Sequence, residues 1–155
     1  MKKFFEAFGF ILICQSAGFL GSFFTINNIE SWYRFLNKPP FIPPDWLFGP
    51  AWLTLYTLMG ISIFLIWQKR TEEGARQAFI LFFVHLVLNA AWTPIFFGAQ
   101  LVSAALIVIV AIFIFIIILM RLFYPIDKRA TWLLAPYLVW VGFATYLNLG
   151  IYLLN

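Results

Sequence analysis

Four stretches of this 155-residue chain, 8–29, 46–68, 77–120 and 130–155, contain no Asp, Glu, Lys or Arg, and short charged segments separate them. A helix rises about 1.5 Å per residue, so a hydrocarbon core about 30 Å thick takes about 20 apolar residues. The first, second and fourth stretches therefore each cross a bilayer once. The third is twice too long and must reverse within itself, and 94–100 (PIFFGAQ) is the only punctuation available for the reversal. The pattern predicts an all-α integral membrane protein in which 1–155 form one domain, a single bundle of five transmembrane helices. They are expected near 5–27, 46–68, 78–97, 101–123 and 130–153, with a loop over 28–45.

Composition agrees: 64% hydrophobic residues, 10% charged residues and a mean hydropathy of +0.95 leave too little polar cover for a water-soluble domain. The net charge of +4 and pI near 9.4 sit in the inter-span loops rather than on one face, so nucleic acid is not an expected partner and the bilayer is. Five spans put Lys2, Lys3, Lys69, Arg70, Arg76, Arg121, Lys128 and Arg129 on one side, and only Arg34 and Lys38 on the other. The positive-inside rule then predicts a cytoplasmic N-terminus, with the 28–45 loop and the C-terminus outside, as in a bacterial cell membrane. The first apolar run exceeds the 7–15 residues of a signal-peptide core and reads as a span. Cys14 lies inside it and reads as a packing residue.

The charge-free stretches hold no carboxylate or basic relay of the kind that proton-coupled transporters place at mid-membrane. His85 is the only histidine, which excludes multi-histidine metal sites, and no metal site is expected. No phosphate loop or catalytic triad is present, so no catalytic residues and no required cofactor are expected.

Tryptophans normally mark membrane interfaces, and Trp46, Trp67, Trp132 and Tyr152 fit that role by their spacing. Trp52, Trp92 and Trp140 lie too deep. Measured at about 1.5 Å per residue from the loop-side helix ends, Trp52, Trp92 and Asn148 fall about 9 Å in, and Tyr56, Asn89 and Ala144 about 15 Å in. Tyr137, Trp140, Ala144 and Asn148 form one helical stripe; Trp52 and Tyr56 share a face, as do His85 and Asn89, with Trp92 three residues on. Amide and indole N–H groups need partners in lipid, so these stripes face inward at one depth, either as interhelical hydrogen bonds or as the walls of a ligand pocket.

The 28–45 loop carries Pro39, Pro40, Pro43 and Pro44 among Trp32, Tyr33, Phe35 and Phe41, a composition for a stiff cap over that depth. Small residues repeat as Ala17/Gly21 and Gly18/Ser22 in the first span and as Ala90/Pro94/Gly98 in the third, patterns that suit close packing inside the bundle or a homodimer seam.

The runs WYRFLNKP (32–39), PPDWLFGPAW (43–52), LNAAWTPIFFG (88–98) and PYLVWVGFATYLN (136–148) resemble the translocator protein family, also called tryptophan-rich sensory proteins or peripheral benzodiazepine receptors. The resemblance implies a five-helix bundle, a homodimer, and a pocket under the first loop for tetrapyrroles such as protoporphyrin IX or haem and for other hydrophobic ligands. Carried over by position, the ligand-binding residues are Trp52, Tyr56, Asn89, Trp92, Trp140, Ala144 and Leu147, with Trp32 and Pro39 in the cap; Asn148 joins them from its stripe. Arg34 and Lys38 are candidate contacts for propionate groups.

The resemblance implies binding in porphyrin sequestration, sensing or transport. Some bacterial relatives degrade porphyrin in light, which would make Trp52 and Trp140 the reactive residues; a lipid- or partner-docking role is a further alternative. Two departures bear on this. Tyr152 is not followed by Lys or Arg, which speaks against sterol recognition there, and Pro40 and Phe41 stand where some relatives carry tryptophans.

Overall fold

The computed structural model describes the backbone of residues 1–155 and every side chain except that of Asn27. Five helical segments are long and apolar enough to cross a membrane, as the charge pattern predicts. They are α1 (Lys2–Ile29), α2 (Phe48–Gln68), α3 (Ala75–Thr93), α4 (Val102–Ile126) and a last span in two pieces, α5 (Lys128–Leu133) and α6 (Ala135–Leu154).

The helices outrun the charge-free windows at the charged-loop side, so that Glu6 falls inside α1 and Arg121 inside α4. Glu6 accepts a hydrogen bond from Gln68 at 2.8 Å. The last span begins at Lys128 rather than at 130 because the Asp127 carboxylate caps it, accepting from the Arg129 backbone N–H at 2.9 Å. It is interrupted at Leu134, where the backbone N–H reaches the Thr131 carbonyl at 3.0 Å, and Pro136 has no N–H to continue the ladder.

Pro94 does not end the third span. The helix runs through Pro94–Gly98 as a wide turn, with the Ala99 N–H on the Pro94 carbonyl at 2.8 Å, and the chain reverses only at 99–101, where Gln100 takes φ +57°. The extra residue in that turn brings both Phe96 and Phe97 inward.

Around the bundle, α1 packs on α2 and α3, α4 lies between α3 and α6, and α5 closes the ring against α2. The charged-loop half is filled by large side chains: Met59, Ile63, Phe82, Ile116 and Phe123 are fully buried there. In that half α1 and α2 come so close that a Cβ on Gly60 would stand 2.5 Å from the Ile11 Cα. The small residues of α1 serve the same end. Gly18 faces the Tyr56 ring and Gly21 faces Thr93, while Gly98 of the third span receives Phe24, so these three glycines of the stripes make contacts within the chain.

The 28–45 loop is tied to the far end of the chain. Asn37 and Asn155 exchange hydrogen bonds at 3.0 and 2.9 Å, the Tyr146 hydroxyl donates to the Pro40 carbonyl at 3.0 Å, and Pro39 lies against Gly150.

Candidate functional site

The helices that touch along the charged-loop half separate toward the lid and leave a cavity of about 560 Å³ between α1, α2, α3 and α6. Helical phase places the aromatic stripes on its walls. Trp52 stacks on Tyr56 with ring centroids 5.4 Å apart, Trp92 stacks on Phe96 at 5.0 Å, and Trp140 meets Phe48 edge-on at 5.8 Å.

A chain of polar side chains runs into the core from Tyr56 and Asn89 on the cavity wall. The Tyr56 hydroxyl donates to Asn89 Oδ1 at 2.6 Å, Asn89 Nδ2 donates to the Tyr137 hydroxyl at 2.7 Å, and that hydroxyl lies 2.9 Å from His85 Nε2. His85 is thus part of the interhelical hydrogen bonding rather than a lone ligand. Nearer the lid, Trp92 Nε1 donates to Asn148 Oδ1 at 3.2 Å, and Asn148 Nδ2 donates to the Val102 carbonyl at 3.1 Å, which ties α3, α6 and α4 together.

One indole is different. Trp140 Nε1 is buried and has no hydrogen-bond partner among the described residues. A buried donor left unpaired costs about 1–3 kcal/mol.

Of the residues expected from sequence, Trp52, Tyr56, Asn89, Trp92, Trp140, Ala144, Leu147 and Asn148 all line the cavity. Four do not. Trp32 packs edge-on against Phe96 and Phe97, and Pro39 sits on α6 at Gly150. Arg34 pairs with Glu30 at 2.9 Å in solvent, and the Lys38 ammonium lies 4.2 Å from the centroid of the Tyr33 ring. The loop is a cap, but its inner surface is made by Tyr33 and Asp45. Burial and, after it, the Asp45 carboxylate push the Tyr33 hydroxyl up.

Sequence reasoning missed the α1 wall: Gln15, Gly18, Gly21, Ser22 and Thr25 also line the cavity. Gln15 donates to the Leu53 carbonyl at 2.8 Å and to the Thr57 hydroxyl at 3.0 Å, bridging α1 to α2 at the cavity edge. The signal was present in the small-residue stripe and a mid-span glutamine, without anything to say which neighbour they faced.

The sequence profile of the TspO/MBR family matches residues 10–154. The chain is 44% identical over 145 residues to the tryptophan-rich protein TspO of Archaeoglobus fulgidus, covering 94% of each chain. It is 38% identical over 126 residues to the tryptophan-rich sensory protein of Cereibacter sphaeroides, covering 81% of this chain and 78% of that one. It is also 38% identical over 144 residues to the human translocator protein, covering 92% and 85%.

Proposed function

Because the chain belongs to the TspO/MBR family of membrane proteins, we propose that its lid-side cavity is a receptor site for a tetrapyrrole, protoporphyrin IX or haem, held for sequestration, sensing or transport. The observation that carries the reading is one aromatic-walled cavity of about 560 Å³, inside the usual range of about 300–1,000 Å³ for ligand pockets. Its flat walls, Trp52, Trp92 and Trp140, suit a flat macrocycle. Propionate groups would lie at the mouth, where Arg34 and Lys38 would reach them by leaving Glu30 and the Tyr33 ring; exposed ion pairs of this kind are worth about 0–1 kcal/mol, so the exchange is inexpensive.

The orientation proposed with this function puts the lid outside and the N-terminus in the cytoplasm of a bacterial-type membrane. A homodimer is part of the proposal, and its seam would lie away from Gly18, Gly21 and Gly98, which make contacts within the chain.

Absorbance titration of the purified protein with protoporphyrin IX in the dark tests the site: a saturable spectral shift supports it, and a shift unchanged by blocking the cavity at Ala144 would remove it. The same sample under light tests the alternative chemistry. Trp52 and Trp140 border the cavity, so light-dependent bleaching that vanishes in Trp52→Phe while binding survives would establish photo-oxidation in place of simple binding.

A further inference from the structure

Among the described residues, Asp45 is the one charged side chain that lines the cavity, and no Lys or Arg pairs with it. The two lid cations are engaged elsewhere, Arg34 on Glu30 and Lys38 on the Tyr33 ring, and neither lines the cavity. The same cavity is lined by the rings of Tyr33, Phe48, Trp52, Trp92 and Trp140. Aromatic faces carry negative quadrupole potential and attract cations, most strongly when the site is desolvated. Tyr33 already does so with Lys38. Field and walls therefore have the same sign.

We propose that this cavity is also a site for lipophilic aromatic cations, drawn by Asp45 at its mouth and by the indole and phenol faces within, while the propionates of a porphyrin would stay outside at Arg34 and Lys38. The proposal rests on the cavity being a ligand site, as in the tetrapyrrole reading, but not on the ligand being a tetrapyrrole. Asp45 lines the cavity together with Tyr33, whose hydroxyl it pushes up after burial does.

Tetraphenylphosphonium and tetraphenylborate are a matched pair of nearly equal shape and opposite charge. Tryptophan fluorescence titration of the full chain in detergent, with each ion, in the parent, Asp45→Asn and Ala144→Phe proteins, tests the proposal. Saturable phosphonium binding is expected in the parent and is expected to be lost in Ala144→Phe. Asp45→Asn should weaken the phosphonium by about twofold to fivefold, the worth of one exposed charge, while borate binding stays the same or tightens. Comparing each ion with itself across variants cancels its partition into the micelle. The proposal falls if the phosphonium does not saturate, if Asp45→Asn leaves its affinity unchanged, or if Ala144→Phe does. A parallel protoporphyrin titration separates the two readings: phosphonium binding without porphyrin binding overturns the tetrapyrrole reading alone, and the converse overturns this one.

Discussion

Asn89 joins two tyrosines from different helices, and its two amide atoms are both committed: Oδ1 to Tyr56 and Nδ2 to Tyr137. The Tyr137 oxygen accepts the amide N–H and pairs at 2.9 Å with His85 Nε2. Asn89→Leu would strand the buried Tyr56 hydroxyl and take from Tyr137 one of its two partners, leaving it His85. It is expected to destabilise the protein by about 1–3 kcal/mol, read as a lowered melting temperature in detergent. Trp140→Phe is the contrasting case: it removes an N–H that has no partner and keeps a flat ring, so stability should change by less than about 1 kcal/mol. Equal losses in the two variants would show that Trp140 Nε1 is satisfied after all. Ala144, between Trp140 and Asn148 on the cavity wall, has space in front of it. Ala144→Phe should keep the fold and weaken protoporphyrin by about tenfold or more, the effect of 1–3 kcal/mol of steric conflict. Undiminished affinity in a folded Ala144→Phe protein would take Ala144 out of the site.

Helix pairs in lipid are held by close backbone approach, since lipid chains are as apolar as the side chains they would replace. That approach is tightest at Gly60, where an added Cβ meets the backbone of Ile11 and nothing flexible can give. Gly60→Ala should cost about 1–3 kcal/mol, whereas Gly9→Ala, with nothing within 4 Å of its new carbon, should be neutral. At the start of the last span, Asp127 is buried, caps α5, and pairs with Arg129 at 2.9 Å and Lys69 at 3.7 Å. The Arg129 hydrogen bond leads the causes that hold its carboxyl below the ordinary 3.8. A carboxyl depressed in the fold stabilises it when ionised, so this contribution is complete above the ordinary value and disappears as pH falls below it. Asp127→Asn keeps a capping oxygen and removes only the charge, so it should lower the melting temperature at neutral pH through the lost Arg129 and Lys69 pairing, and the gap from the parent should narrow as the pH falls below 3.8. A gap that does not change with pH would mean that the charge contributes nothing.

At the scale of the molecule, the cap and the C-terminal helix behave as one unit, because Asn37 and Asn155 are 118 residues apart in sequence and hydrogen-bonded in space. Asn155→Ala should loosen the loop and speed ligand release with little change in global stability, since the lost bonds are exposed; stopped-flow dissociation of protoporphyrin measures it. Orientation is tested by a cysteine appended after Asn155 in a Cys14→Ser background. Labelling by a membrane-impermeant thiol reagent in intact cells is expected, and labelling only after lysis would place the lid in the cytoplasm.

The number of spans, their approximate ends and the depth of the polar stripe were determined by sequence alone, because bilayer thickness fixes length, charge is excluded from hydrocarbon, and a buried amide must face a partner. Trp52, Tyr56, Asn89, Trp92 and Asn148 were legible for that reason. Tertiary structure decided what repeats along one helix cannot encode: that Gly18 and Gly21 face Tyr56 and Thr93, and that Pro94 widens a turn instead of ending a helix. It also decided that Trp32, Arg34, Lys38 and Pro39 stand outside the cavity while Tyr33 and Asp45 close it. A proline-rich loop has no periodicity from which facing can be read, and its path is set by contacts with α6 that only the folded bundle brings within reach.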